Sequence, residues 1–98
     1  MKNVHWTEEA WEEYVHWQQN DPPTTTKINA LIRECLRTPF VGIGKPEPLR
    51  GELSGFWSRR ITAEHRFVYK VFGKPDNFVL SIVACRFHYN NLGGRKNN

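Results

Sequence analysis

Apolar residues recur at helical spacing through the first part of the chain and at every second position through the rest. Lys2–Trp6 reads as a short first strand. Thr7 is placed to cap a helix whose first turn holds Glu8 and Glu9, at the positive end of the helix dipole. Ala10, Trp11, Tyr14 and Trp17 follow at helical spacing and predict a buried aromatic stripe. Asn20-Asp21-Pro22-Pro23 stops that helix, and a second begins within Thr24–Lys27. Ile28, Leu31, Ile32, Cys35 and Leu36 give its core face, and Pro39 ends it by forcing the preceding residue out of helical geometry.

From Leu49 the period changes to two. Leu49–Leu53, Phe56–Thr62, Arg66–Phe72 and Phe78–Phe87 read as strands, broken at Ser54-Gly55, Ala63-Glu64 and Gly73-Lys74-Pro75-Asp76. Breaks this short make antiparallel hairpins, because a parallel crossover needs a longer connection. The expected fold is α+β: two N-terminal helices packed on a mainly antiparallel sheet of about five strands.

Alternation then sorts the charges. Arg60 shares a face with Phe56, Ser58 and Thr62, whereas Arg59 lies with Trp57 and Ile61. Arg66 aligns with Val68 and Lys70, and in the last strand Arg86 aligns with His88. Helices on one side of such a sheet leave the other free for Arg60, Arg66, Arg86 or His88.

Charge adds a direction. Residues 1–26 hold one Lys against four Glu and one Asp, a net −4, and residues 27–98 hold thirteen Lys/Arg against five acids, a net +8. An acidic start before a basic remainder suits a polyanion partner, and equally a solvated basic surface. Cys35 and Cys85 sit in apolar contexts with no CxxC spacing and no secretory signal at the start, so two reduced thiols in the cytoplasm are expected. No apolar run is long enough to span a membrane.

Glu47 stands between Pro46 and Pro48, upstream of the arginines, and His88 closes the last strand. RNA cleavage without metal needs a base for the 2′-hydroxyl, cations for the phosphorane and an acid for the leaving oxygen. Glu47, Arg60 with Arg66, and His88 supply those types. No carboxylate or His/Cys cluster stands at metal-ligand spacing, so a two-metal nuclease is not expected and no cofactor is called for. Each also has a plainer reading: a solvated Glu47, a surface His88, arginines paired with Glu52 or Glu64, and structural His65 and Tyr69. Residue patterns alone reach a basic α+β domain able to bind RNA.

Longer motifs carry more. Lys45-Pro46-Glu47-Pro48-Leu49, Leu53-Ser54-Gly55-Phe56-Trp57-Ser58-Arg59-Arg60-Ile61, Glu64-His65-Arg66-Phe67-Val68-Tyr69 and the closing Ala84-Cys85-Arg86-Phe87-His88-Tyr89 resemble the YoeB (Txe) toxins of the RelE superfamily. Trp6-Thr7-Glu8-Glu9-Ala10-Trp11 and Arg37-Thr38-Pro39-Phe40 fit as well. The resemblance covers residues 1–89, taken as one toxin domain, and leaves 90–98 as a polar tail expected to be disordered. It implies a toxin of a type II toxin–antitoxin system, an endoribonuclease that binds the 70S ribosome and cuts mRNA in the A site. A YefM-type antitoxin would neutralise it, operator DNA would be met only through that complex, and a homodimer is left open. Glu47 would be the general base and His88 the general acid; Arg66 would stabilise the phosphate transition state and Tyr89 would organise the site. Lys45, Arg50 and Arg60 would hold the RNA backbone, with Arg59 a weaker candidate. Arg50 stands where the family usually has Lys. The resemblance departs at Pro22-Pro23 and at the nine residues after Tyr89. Outside this class stand a ParE-like gyrase binder and a non-catalytic ribosome- or RNA-binding module.

Overall fold

A computed structural model describes residues 1–88. The chain runs β1 (Asn3–Trp6), α1 (Glu8–Asn20), α2 (Pro22–Arg37), β2 (Glu47–Pro48), a 3₁₀ turn (Gly51–Leu53), β3 (Trp57–Arg60), β4 (Arg66–Lys74) and β5 (Asn77–Ala84). The sheet order is β1-β5-β4-β3-β2. Every neighbouring pair is antiparallel except β1 with β5, which is parallel. The expected α+β fold with a mainly antiparallel five-stranded sheet is what forms.

Local chemistry sets the helix ends. Thr7 Oγ1 accepts the Ala10 amide at 3.1 Å. The prolines expected to stop α1 instead open α2: Asp21 caps it, accepting the Thr24 amide at 3.3 Å, and Pro22 and Pro23 occupy the first positions. Those positions have no intrahelical acceptor for an amide, so proline loses nothing there. The face of α2 is as its periodicity predicts, with Ile28, Leu31 and Cys35 buried. On α1 the stripe is narrower than expected. Ala10 and Trp17 are buried and Tyr14 half-buried, but Trp11 stands exposed and Glu13 takes a buried place.

Both helices cover one face of the sheet. Ala10, Trp17, Ile28, Leu31 and Cys35 meet Phe67, Tyr69, Phe78, Leu80 and Ile82 in the main core. Burying each large apolar side chain contributes about 1.5–3 kcal/mol, so this layer fixes the sheet's orientation. The other face carries only a small patch, Leu49, Val68 and Ala84, with Leu53, Phe56 and Val83 against it. Lys70 lies over the Phe56 and Phe72 rings on that same face.

Two strand assignments change. Leu49–Leu53 is not a strand: the pairing comes earlier, at Glu47–Pro48, and Gly51 at φ +67° turns the chain into the 3₁₀ segment. Proline lacks an amide to donate, which confines this pairing to a sheet edge. The last strand ends at Ala84 rather than Phe87, and Phe87 takes φ +67°. Strand alternation therefore does not reach Arg86 and His88, and their expected common face does not exist. The Arg86 guanidinium lies 5.9 Å from the Trp17 ring and 4.6 Å from the Phe87 ring.

Both cysteines are free and buried. Burial pushes the Cys35 thiol from 9.0 up to about 11, against the opposing pull of the Arg59 charge. A thiol kept neutral by folding adds stability that is complete below its unfolded value and lost as pH climbs through its folded one. Between pH 9 and 11 the wild-type urea midpoint should fall more steeply than that of Cys35→Ala, by about 2 kcal/mol over the interval. Parallel curves for the two proteins would show that thiol burial is not what is lost.

Candidate active site

Three separate pieces of chain meet on the open face. Glu47 pairs with Ser58 across β2–β3, and Arg60 pairs with Arg66 across β3–β4. The period of two puts Ser58, Arg60 and Arg66 on the side away from the helices. Lys45, Glu47, Ser58, Arg60, Arg66 and His88 line one cleft of about 280 Å³. Glu47 also borders a neighbouring depression with Arg50 and Leu53. Five of the expected site residues thus share a cleft and Arg50 flanks it. Tyr89 and the tail 90–98 lie outside the described residues.

The electrostatics favour an anion. Three cations face one carboxylate, and two of the cations, Arg60 and Arg66, stand directly opposite each other on paired strands. Like charges in that position destabilise a sheet unless something negative sits between them. Arg66 is also held in place: Nη1 donates to the carbonyls of Thr62, Ala63 and His65 at 2.9, 3.2 and 3.2 Å. Its orientation is set before any ligand arrives, which lowers the cost of binding one.

Lys45 and Glu47 reach the cleft because of Arg59. That residue is wholly buried and not on the open face, which corrects its assignment as an RNA contact. Nη1 donates to the Ile43 carbonyl at 3.0 Å, and Nη2 to those of Thr38 at 2.6 Å and Val41 at 3.0 Å. Nε donates to Tyr69 Oη at 3.2 Å, and that hydroxyl donates to the Pro39 carbonyl at 2.6 Å. One guanidinium and one phenol thereby fasten the segment from Thr38 to Ile43 onto the sheet. The next turn closes through the Gly44 carbonyl, which accepts the Arg60 amide at 2.7 Å. A Cβ on Gly44 would come within 3.0 Å of Leu31 Cδ2 and 3.1 Å of Arg59 Cβ, and its φ of +81° suits glycine alone.

His88 arrives differently. Past Ala84 the backbone is tied down by side chains and a neighbouring strand. Glu13 Oε1 accepts the Cys85 amide at 2.8 Å, and Trp17 Nε1 donates to the Cys85 carbonyl at 2.8 Å. His65 Nδ1 accepts the Phe87 amide at 2.8 Å, and the Arg66 amide donates to the Phe87 carbonyl at 2.9 Å. A left-handed phenylalanine costs roughly 1–3 kcal/mol and persists only where its surroundings dictate it. Sequence reading missed Ser58 as a cleft residue, although alternation already placed it beside Arg60. It also missed the His65 contact, for which no pattern in the sequence gives a signal.

A family model of the YoeB-like toxin of bacterial type II toxin–antitoxin systems matches residues 6–89. The chain belongs to that family. Toxin YoeB of Escherichia coli strain K12 is 57% identical over 84 residues, spanning 86% of this chain and 95% of the relative. A YoeB/ParE toxin from Agrobacterium tumefaciens has the same fold, with a TM-score of 0.84 at 54% identity over 89% of this chain and 99% of its own. A Staphylococcus aureus toxin solved as a heterotetrameric YoeB–YefM complex superposes with a TM-score of 0.79 at 40% identity, covering 91% and 99%. Among the described residues of this YoeB-like toxin, no group of three or more His, Cys, Asp or Glu is placed to hold a metal ion, and no helix is long and apolar enough to cross a membrane.

The two adjacent arginines should separate cleanly on mutation. Arg59→Met should destabilise the toxin by ~2–4 kcal/mol in urea unfolding, because it orphans several polar groups at once. Arg60→Ala should leave the unfolding midpoint within about 0.5 kcal/mol. It should instead weaken binding of single-stranded RNA and lower the slope of log affinity against log salt by about 0.7. Fluorescence anisotropy at several salt concentrations checks the second half; an unchanged slope would remove Arg60 from the anion site.

Proposed function

We propose that this toxin is a ribosome-dependent endoribonuclease that cuts mRNA in the A site without a metal ion and so inhibits translation. The observation that carries the reading is one cleft holding a carboxylate, an imidazole and three cations. Glu47 takes the proton from the 2′-hydroxyl, and the freed oxygen attacks the adjacent phosphorus. Arg66 and Arg60 neutralise the charge that builds on the phosphorane oxygens. His88, in its protonated form, gives its proton to the departing 5′-oxygen, leaving a 2′,3′-cyclic phosphate upstream and a 5′-hydroxyl downstream. Lys45 and Arg50 hold the flanking phosphates, and Tyr89 has the role of ordering the substrate base.

A shallow cleft on an open sheet face gives little enclosure, so the substrate strand must be presented already extended. The ribosomal A site does this. The carboxylate and imidazole also argue against a gyrase binder or a passive RNA-binding module, since binding alone requires neither. A YefM-type antitoxin is the proposed inhibitor, consistent with the staphylococcal relative's complex, and operator DNA is met through that complex. The toxin acts in the bacterial cytoplasm.

Glu47→Gln and His88→Gln should each lower cleavage of ribosome-bound mRNA by ~10²–10⁴, with thermal stability and antitoxin binding kept. Primer extension in a translation extract reads the cut sites. Wild-type cleavage by the double mutant would end the proposal.

A further inference from the structure

The segment that delivers His88 lies beyond the end of β5, and Phe87 takes a left-handed backbone conformation that phenylalanine does not hold by itself. The atom that meets the Phe87 amide is His65 Nδ1, at 2.8 Å. A backbone amide can only donate, so this nitrogen must carry a lone pair and the ring proton must sit on Nε2. The ring is fixed from both sides, with its centroid 4.9 Å from that of Trp17, edge to face, and 6.0 Å from that of Phe87. The His65 carbonyl meanwhile accepts the Ile61 and Thr62 amides and the Arg66 guanidinium. One residue therefore sits between the turn that orients Arg66 and the segment that presents His88.

We propose that His65 is a positioning residue: its Nδ1 lone pair holds the Phe87 amide and so aims the His88 imidazole into the cleft. This rests on the reading of His88 as the general acid. His65 does not line the cleft and transfers no proton. Its requirement is an acceptor at the Nδ1 position, and that requirement separates it from a residue that merely fills space.

Three substitutions read the requirement. The asparagine amide oxygen can reach the place of Nδ1, whereas that of glutamine falls near the place of Nε2, and leucine has no acceptor. His65→Asn should keep cleavage within about threefold of wild type. His65→Gln and His65→Leu should lose about 10–100-fold in kcat with KM unchanged, the usual penalty for a misplaced catalytic group. Amide hydrogen exchange at Phe87, measured on the free toxin, should stay slow in the asparagine protein and speed up in the other two. Thermal unfolding of each variant confirms a folded chain. Wild-type kcat in folded His65→Leu, or loss in His65→Asn as deep as in His65→Leu, overturns the proposal. His88→Gln run alongside separates the two readings: wild-type cleavage there means His88 is not the acid, while Phe87 exchange still reports on the His65 bond.

Discussion

A single buried cation, Arg59, holds the loop that carries Lys45 and Glu47 to the sheet. Arg59 has no exposed surface, and the acceptors around its guanidinium are three main-chain carbonyls and a phenol oxygen. Removing a guanidinium from water is expensive, and only several well-placed acceptors offset it. The three carbonyls come from the irregular stretch between α2 and β2, whose apolar side chains Phe40, Val41 and Ile43 stay exposed. The cation and the loop therefore need each other. Without Arg59 the loop loses three of its bonds to β3; without the loop Arg59 could not be buried. Tyr69 extends the arrangement, since burial raises its pKa and keeps its hydroxyl protonated and able to donate to Pro39.

The same strand serves two purposes because its side chains alternate. Arg59 points into the helix-covered layer and stabilises; Arg60, one residue on, points to the open face and supplies charge. Opposing it with Arg66 weakens the sheet slightly. The apolar layer behind those strands, with Phe67, Tyr69 and Ile61, is what tolerates such a pair. Stability is concentrated on one face so that charge can be concentrated on the other.

Much of this was legible in the sequence. The α2 face, the β4–β5 hairpin and the separation of Arg60 from Arg59 all follow from periodicity. Arg59 was even placed beside Trp57 and Ile61, which was the signal that it belonged to the core. Carrying the family's RNA-contact role over to Arg59, even as a weaker candidate, overrode that signal. Segment ends were less legible. Pro22-Pro23 serves equally to stop one helix and to start the next, and only the Asp21 cap decides between them. Phe78–Phe87 reads as one β-rich run, yet side-chain acceptors and donors from α1 and His65 capture its last residues. Such captures depend on distant residues that no local pattern records. Motif resemblance, not spacing, joined Glu47 to His88.

The cleft is thus assembled from two irregular segments, each held by a different kind of bond. The Glu47 side relies on a buried cation gripping carbonyls. The His88 side relies partly on an imidazole nitrogen accepting an amide. The two holds run in opposite directions: the Arg59 guanidinium donates to the chain, whereas His65 Nδ1 accepts from it. The cleft therefore depends on a donor at one flank and an acceptor at the other, and neither can be exchanged for a residue of the opposite kind.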